Sequence, residues 1–370
     1  MSGFAVRGWC PDAWRPMAAG DGLLVRVRPR LGRLTRAQLL ALCEAADAYG
    51  NGRIDLTMRA NLQIRGVDKA AWPALIARLV DAGLVDADPV REMRRNLLVA
   101  PGWRAGDDTH RIADALIARL DAVPDLPGKA GFVIDAGDAP VLTKDSGDFR
   151  IERGAHGGLI LRADGTATGV ALDHGGEVDA LIGLARRFAE RGVARMADSP
   201  ILLADAVVRP VAAAAPMRPG MQAGGMALGL PFGRVEASAL RRLVMDGAVT
   251  AIRLTPWRIM LCEGLATGGV AGFIDDSASD LLHVDACVGA PACPQASVET
   301  RALALRLAPS VEGRLHVSGC AKGCARARPA DVVLTGRDGR YDLAFAARAG
   351  APPVVAGLDA GEILARFGVS

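Results

Sequence analysis

The stretch LGRLTRAQLLALCEAADAYGNGRIDLTMR, from Leu31 to Arg59, decides the fold. Thr35 and Gln38 stand three positions apart, the spacing of a capping box at a helix start. Leu39, Leu40, Leu42, Cys43 and Ala46 follow as one apolar stripe, and the helix ends near Gly50. Asn51-Gly52 reads as a turn and Ile54-Asp55-Leu56-Thr57 as a returning strand. Just upstream, Val25-Arg26-Val27-Arg28 alternates apolar and basic residues, as a half-buried strand does. Residues 21–66 therefore read as strand, helix, strand.

A second copy, with FGRVEASALRRLVMDGAVTAIRLTPWR (Phe232 to Arg258) at its centre, appears at roughly 227–265, about 200 residues downstream. Phe232-Gly233-Arg234-Val235 echoes Leu31-Gly32-Arg33-Leu34, and Ala237 to Met245 is again helical. Ile252-Arg253-Leu254-Thr255 echoes Ile54-Asp55-Leu56-Thr57, and each copy ends in an arginine, Arg59 and Arg258. Two copies imply a duplication with two-fold pseudo-symmetry; a solenoid needs at least three repeats. Between them helices are predicted over 70–82, 110–121 and 177–191, and strands over 131–135 and 158–162. Arg209 to Gly220, rich in Pro and Ala, reads as a linker. A strand over Asp331-Val332-Val333-Leu334 and a helix near 359–367 complete a mixed α/β chain in two related halves.

At about 150 residues per domain, 370 residues predict two or three domains. An apolar share of 51 % and a charged share of 23 % exclude a disordered or collagen-like chain. The formal net charge of +3 is too small for a protein that coats nucleic acid. No apolar run approaches the roughly 18–20 residues that span a bilayer, so no membrane association is expected. The first residues show neither a continuous apolar segment nor a cleavage pattern, and no signal peptide is expected. Seven cysteines, neither dense nor even in number, point to a reducing cytoplasm. The basic residues are nearly all arginine, with lysine only at Lys69, Lys129, Lys144 and Lys322.

Four cysteines gather late in the chain, as Cys287-x5-Cys293 and Cys320-x3-Cys324. Four thiolates can hold a zinc ion or an iron–sulfur cluster. The five-residue spacing suits a zinc knuckle poorly, whereas a larger cubane accepts it. Gly289, Gly319 and Gly323 would let backbone N–H groups approach the sulfurs, and Lys322 and Arg326 would offset the cluster's negative charge. Gln295 to Leu305 reads as a helix with Cys293 beside its N-terminus. Cys10, Cys43 and Cys262 are expected only to pack.

The segment HVSGCAKGCARARPADVVLTG, His316 to Gly336, with ACVGAPACPQA before it, resembles the cluster-binding motif of the sirohaem-dependent sulfite and nitrite reductases. The resemblance implies a 4Fe-4S cluster on Cys287, Cys293, Cys320 and Cys324, with Cys324 at the position that bridges to haem iron. Leu56-Thr57-Met58-Arg59-Ala60-Asn61-Leu62-Gln63 is similar to another signature of that family, which makes Arg59 an anion-site arginine. Arg95-Asn96-Leu97 resembles a second such position. The implied fold is α+β, a duplicated sulfite/nitrite-reductase-like architecture. Its two ferredoxin-like half-domains would be residues 1–70 and 221–280. Two cofactor-binding α/β domains would be residues 71–215 and 281–370, the latter carrying the iron–sulfur cluster.

Two departures from the family pattern narrow the function. Its Leu-Pro-x-Lys-x-Lys signature becomes Leu126-Pro127-Gly128-Lys129-Ala130-Gly131, which keeps Lys129 and puts Gly131 in the place of the second lysine. Its Gly-Cys-Pro-Asn-Gly-Cys becomes Gly-Cys-Ala-Lys-Gly-Cys at residues 319–324. Loss of a buried cation weakens charge stabilisation in a site that must reduce sulfite. A sirohaem-dependent nitrite or sulfite reductase is thus the alternative reading.

The branch that accommodates these departures is the precorrin-3B synthase family. Arg7-Gly8-Trp9-Cys10-Pro11, Arg15-Pro16-Met17 and the run from Gly20 to Gly32 are similar to its N-terminal segment. The resemblance implies O2-dependent hydroxylation of precorrin-3A at the meso carbon between rings A and D, with a ring-A acetate closing to a lactone. It implies a mononuclear non-haem iron besides the cluster and makes sirohaem doubtful. Precorrins are rimmed with acetates and propionates. Arg26, Arg28 and Arg30 alternate, so an extended segment turns all three to one face. That row is either a solvated edge or a complement to the rim carboxylates. Arg59, Arg95 and Lys129 join the second reading. His110, His156, His174, His283 and His316 are scattered without a two-His-one-carboxylate pattern, and His316 is expected to pack or hydrogen-bond near the cluster. No G-x-G-x-x-G follows a strand, so NADH oxidation is assigned to a separate reductase.

Overall fold

Residues 10–369 are described in the computed structural model. Residues 7–9 of the N-terminal signature lie outside the described residues. The helix Arg36–Tyr49 starts as its sequence requires: Thr35 Oγ1 accepts from Gln38 N at 3.3 Å, and Gln38 Oε1 accepts from Thr35 N at 3.1 Å. Its stripe Leu39, Leu42, Cys43 and Ala46 is fully buried, and it packs against the second-copy helix Ala237–Asp246. Gly52, at φ +73°, makes the turn into strand Arg53–Leu56.

The two copies exchange strands. The first sheet runs Met17–Ala19, Gly22–Val27, Leu62–Val67, Arg53–Leu56 and then Arg234–Glu236 from the second copy. The second runs Gly220–Gln222, Gly225–Gly229, Ile259–Glu263, Ala251–Leu254 and then Arg33–Thr35 from the first. Both exchanged strands leave a tight turn whose central residue adopts a left-handed backbone, Leu31 at φ 53° and Phe232 at φ 54°. Separating the halves would break both pairings.

The two α/β domains that the family resemblance implies are also copies of one another, although no repeat of letters marks them. Leu97–Val99, Phe132–Asp135 and Phe149–Arg153 are parallel neighbours, followed antiparallel by Leu159–Ala163 and Val170–Ala171. Val284–Ala286, Leu315–Ser318 and Ala330–Arg337 repeat the pattern, followed by Arg340–Ala347 and Val355–Leu358. Helices Asp108–Ala118 and Arg301–Leu307 link the first two strands of each sheet, and Glu177–Ala189 and Ala360–Arg366 follow the last. The linker stays against the first of these sheets, with Val211 N donating to Arg153 O at 2.8 Å and Ala214 N to Pro140 O at 2.7 Å. Among the described residues no helix is long and apolar enough to cross a membrane.

Two expectations are corrected. The helix expected over Gln295 to Leu305 begins only at Arg301. Ser297 N donates to Gly319 O and Ala290 N to Val298 O, both at 2.9 Å, which commits this backbone to neighbouring loops. Glu299 then caps the short helix through Arg301 N at 2.9 Å. Arg59 and Arg258 are also not equivalent. Thr57 N donates to Asn61 O and Thr255 N to Ile259 O, and the left-handed residues of the two turns are Ala60 and Arg258. Trp257 therefore matches Arg59.

Candidate functional site

Both cysteine pairs sit where adjacent parallel strands end. Cys287 follows Val284–Ala286 directly, Cys293 lies in the same loop, and Cys320 and Cys324 lie in the loop after Leu315–Ser318. The carboxyl ends of parallel strands are where α/β sheets bind ligands. All four cysteines line one cavity of about 300 Å³, closed from the ferredoxin-like halves by Leu56, Thr57, Met58, Gln63, Phe232 and Arg258.

Glycines bring the two cysteine loops together. Gly319 N donates to Cys287 Sγ at 3.2 Å. A Cβ on Gly319 would lie 2.5 Å from Ala296 Cβ, and one on Gly289 (φ +68°) 2.7 Å from Thr300 Oγ1. The tip of the first hairpin braces the loop, with Gly20 N donating to Ala292 O at 3.0 Å. Burial pushes the thiols of Cys320 and Cys324 up, and the neighbouring cysteines push them further. Among the described residues no three His, Cys, Asp or Glu side chains converge as one metal ion needs. Four thiols ringing an open space instead suit a multi-iron core, which spreads its ligands. Cys324 is the most exposed of the four.

Below the cavity, Asp285 pairs with Arg258 (3.3 Å), Arg314 (3.2 Å) and Arg326 (3.4 Å), so Arg326 answers a carboxylate as well as flanking the cysteines. His316 is buried beside Asp285 in the strand register, and its ring nitrogens have no hydrogen-bond partner among the described residues. It packs; burial pushes it down to about 4. Cys43 and Cys262 lie in the core, where burial pushes both thiols up to about 12.

The expected row of Arg26, Arg28 and Arg30 does not form. Strand Gly22–Val27 ends before Pro29, and the turn Arg30–Gly32 sends Arg30 outward to an exposed ion pair with Asp114. Arg28 and Arg95 are buried around Glu92: Arg28 Nη1 donates to the Glu92 backbone carbonyl at 2.6 Å and lies 3.9 Å from Oε1, and Arg95 Nη2 pairs with Oε2. Arg26 alone of the row reaches the cavity wall. The amide oxygen of Gln63, in the orientation that satisfies both groups, accepts Arg26 Nε at 3.2 Å and Nη2 at 2.8 Å.

Gln63 thus joins the thiol cavity to a cationic flank. Arg59 stands there, with Nη2 donating to Lys129 O at 2.8 Å; Lys129 itself is half-buried. Burial lowers the pKa of both arginines, Arg26 to about 10. Sequence reasoning quoted Gln63 only as the end of the Arg59 signature, without a role, and missed Arg195, which belongs to no motif or periodic stretch. Arg195 Nη2 donates to Ser146 Oγ at 3.1 Å beside Arg59. Gly131 is crowded: a Cβ would lie 2.9 Å from Asn96 Nδ2 and 3.0 Å from Asn96 O, so Asn96 would have to shift to admit a side chain.

Residues 15–82 match the family described as the nitrite/sulfite reductase ferredoxin-like half domain. A precorrin-3B synthase of a Sinorhizobium species is 35 % identical over 91 % of this chain and 82 % of that protein. A ferredoxin–nitrite reductase of Synechococcus elongatus is 25 % identical over 90 % of this chain and 80 % of its own. The solved structure of the Mycobacterium tuberculosis NirA protein shares the fold, with a TM-score of 0.67 at 18 % identity over 92 % of this chain and 78 % of that one.

Proposed function

The chain belongs to the precorrin-3B synthase family, within the nitrite and sulfite reductase superfamily, and from that premise we propose that it hydroxylates precorrin-3A to precorrin-3B. One oxygen atom of O2 enters at the meso carbon between rings A and D, and a ring-A acetate closes to the lactone. Two electrons from NADH, delivered by a separate reductase in a cytoplasmic setting, reduce the other oxygen atom to water.

Cys287, Cys293, Cys320 and Cys324 would hold a 4Fe-4S cluster, which supplies electrons one at a time when bound. Arg26, Arg59 and Lys129 meet the rim carboxylates, since a guanidinium matches a carboxylate in bidentate fashion. Arg28 and Arg95 hold the wall through Glu92 and act on substrate only through its shape. Met58, 64 % exposed at the cavity edge, offers an apolar contact for the macrocycle face. For the mononuclear iron the described residues do not fit, because no three suitable side chains converge.

The observation that carries this reading is the continuity from four thiols through Gln63 to Arg26 and Arg59. A cluster beside a cationic wall suits a redox reaction on a polyanionic macrocycle. Gly131, crowded by Asn96, counts against the sirohaem-dependent alternative, which uses a lysine there. Anaerobic purification with iron and sulfide quantification, visible spectroscopy and single-turnover assays of precorrin-3A tests it. About four irons and four sulfides per chain are expected, without sirohaem bands, and with product under air but not under argon. A colourless metal-free chain, or equal conversion under argon, overturns the reading.

A further inference from the structure

Two guanidinium groups from distant parts of the chain close on one neutral hydroxyl. Arg59 Nη2 lies 3.4 Å and Arg195 Nη2 3.1 Å from Ser146 Oγ. Arg195 is fixed from behind, its Nε donating to Asp148 Oδ1 at 2.9 Å. Asp148, fully buried, also accepts Met196 N at 2.8 Å and Gly131 N at 3.0 Å. Its lone pairs are thus engaged by three donors, and Ser146 brings no charge. Burial lowers the pKa of Arg59 and the positive charge of Arg195 adds to it, opposed only in part by the charges of Cys10 and Asp148. A shared hydroxyl does not offset that repulsion; a carboxylate does, by accepting from both edges.

We propose that Arg59 and Arg195 form a carboxylate clamp with Ser146 as its floor, and that it takes one acetate or propionate of the substrate. The proposal rests on the tetrapyrrole reading above and deepens it. The clamp stands next to the cavity, because Met58, which precedes Arg59, lines the cavity wall. The same Asp148 that orients Arg195 also holds the backbone of Gly131, so the second cation here arrives on the loop after helix Glu177–Ala189.

The test uses the anaerobically purified chain and uroporphyrin III, an eight-carboxylate macrocycle, with binding read by fluorescence across several salt concentrations. Arg195→Ala is expected to bind about tenfold more weakly and with a shallower salt dependence. Arg195→Lys should recover most of the affinity and the salt dependence. A fold defect alone would lower the melting temperature without changing the salt slope of the folded fraction. Should Arg195→Ala fail to fold, Arg195→Gln keeps a donor for Asp148 while removing the charge, and reads the same quantity. Wild-type affinity and slope in the neutral variant overturn the clamp and leave the tetrapyrrole reading standing. No uroporphyrin binding by the unsubstituted chain overturns both.

Discussion

Arg59 and Trp257 occupy the same place in two copies of one turn. Arg59 N donates to Thr57 Oγ1 at 3.2 Å and Trp257 N to Thr255 Oγ1 at 3.3 Å, and in each the next residue is left-handed. The duplicated scaffold thus offers two positions and charges only one. The first turn faces the cationic flank; the second presents an indole beside Asp145, whose carboxyl burial pushes up to about 6. Pseudo-symmetry of backbone has been converted into asymmetry of chemistry by one side chain in each turn.

Arg59→Ala is therefore expected to weaken binding of a polycarboxylate tetrapyrrole by about tenfold, the worth of one charge-assisted pair. Iron and sulfide content should be unchanged, because Arg59 bonds to Lys129 O and Ser146 and not to the cysteine loops. Fluorescence titration beside metal analysis checks both halves, and loss of iron in this variant would count against the role given to Arg59.

Cys287→Ser and Cys324→Ser should each lose iron, sulfide and turnover, since each removes a thiolate from a ring of four. Cys43→Ser and Cys262→Ser should retain the metal and instead lose about 1–3 kcal/mol of stability, because each buries a hydroxyl in an apolar core. Metal analysis and thermal melting separate the two classes.

Legibility in the sequence followed how local the determinants were. Helix Arg36–Tyr49 was readable because its cap, stripe and terminating glycine all lie within one stretch. The exchange of Arg33–Thr35 into the other half was not, because three residues carry no period and their partner is chosen by the turn at Leu31. The matching of Arg59 to Arg258 slipped by one residue because letters were aligned where hydrogen bonds define the turn. The cysteine quartet was legible because thiol pairs at fixed spacing mean little else. Arg195 was not, because its meaning comes only from Ser146 and Asp148, 49 and 47 residues away.

Gly131→Lys, which restores the family's missing lysine, should not create a sulfite reductase. The new Cβ would meet Asn96 Nδ2 at 2.9 Å and Asn96 O at 3.0 Å, and Asn96 is itself bonded to Ala130 O at 2.5 Å. Displacing that wall is expected to cost about 1–3 kcal/mol. A lowered melting temperature with no sulfite-dependent electron uptake is the expected result; a stable variant with new sulfite turnover would refute this account of residue 131.

The exchanged strand Arg33–Thr35 predicts a specific acid sensitivity. Arg33 donates to Glu263 from Nε at 3.0 Å and Nη2 at 2.6 Å, and Arg253 adds a bond at 2.6 Å, so one carboxylate ties the borrowed strand to its host sheet. Hydrogen bonding from Arg33, followed by that from Arg253, holds Glu263 down at about 2, against an ordinary 4.5. A depressed carboxyl contributes stability above its unfolded value and loses it as pH falls towards the folded one. Glu263→Gln should therefore be less stable than the unsubstituted chain by about 1–3 kcal/mol at neutral pH. That gap should narrow as the pH is lowered from about 4.5 towards about 2. Chemical denaturation of both chains across this window measures it, and a gap independent of pH would show that Glu263 does not act through its charge.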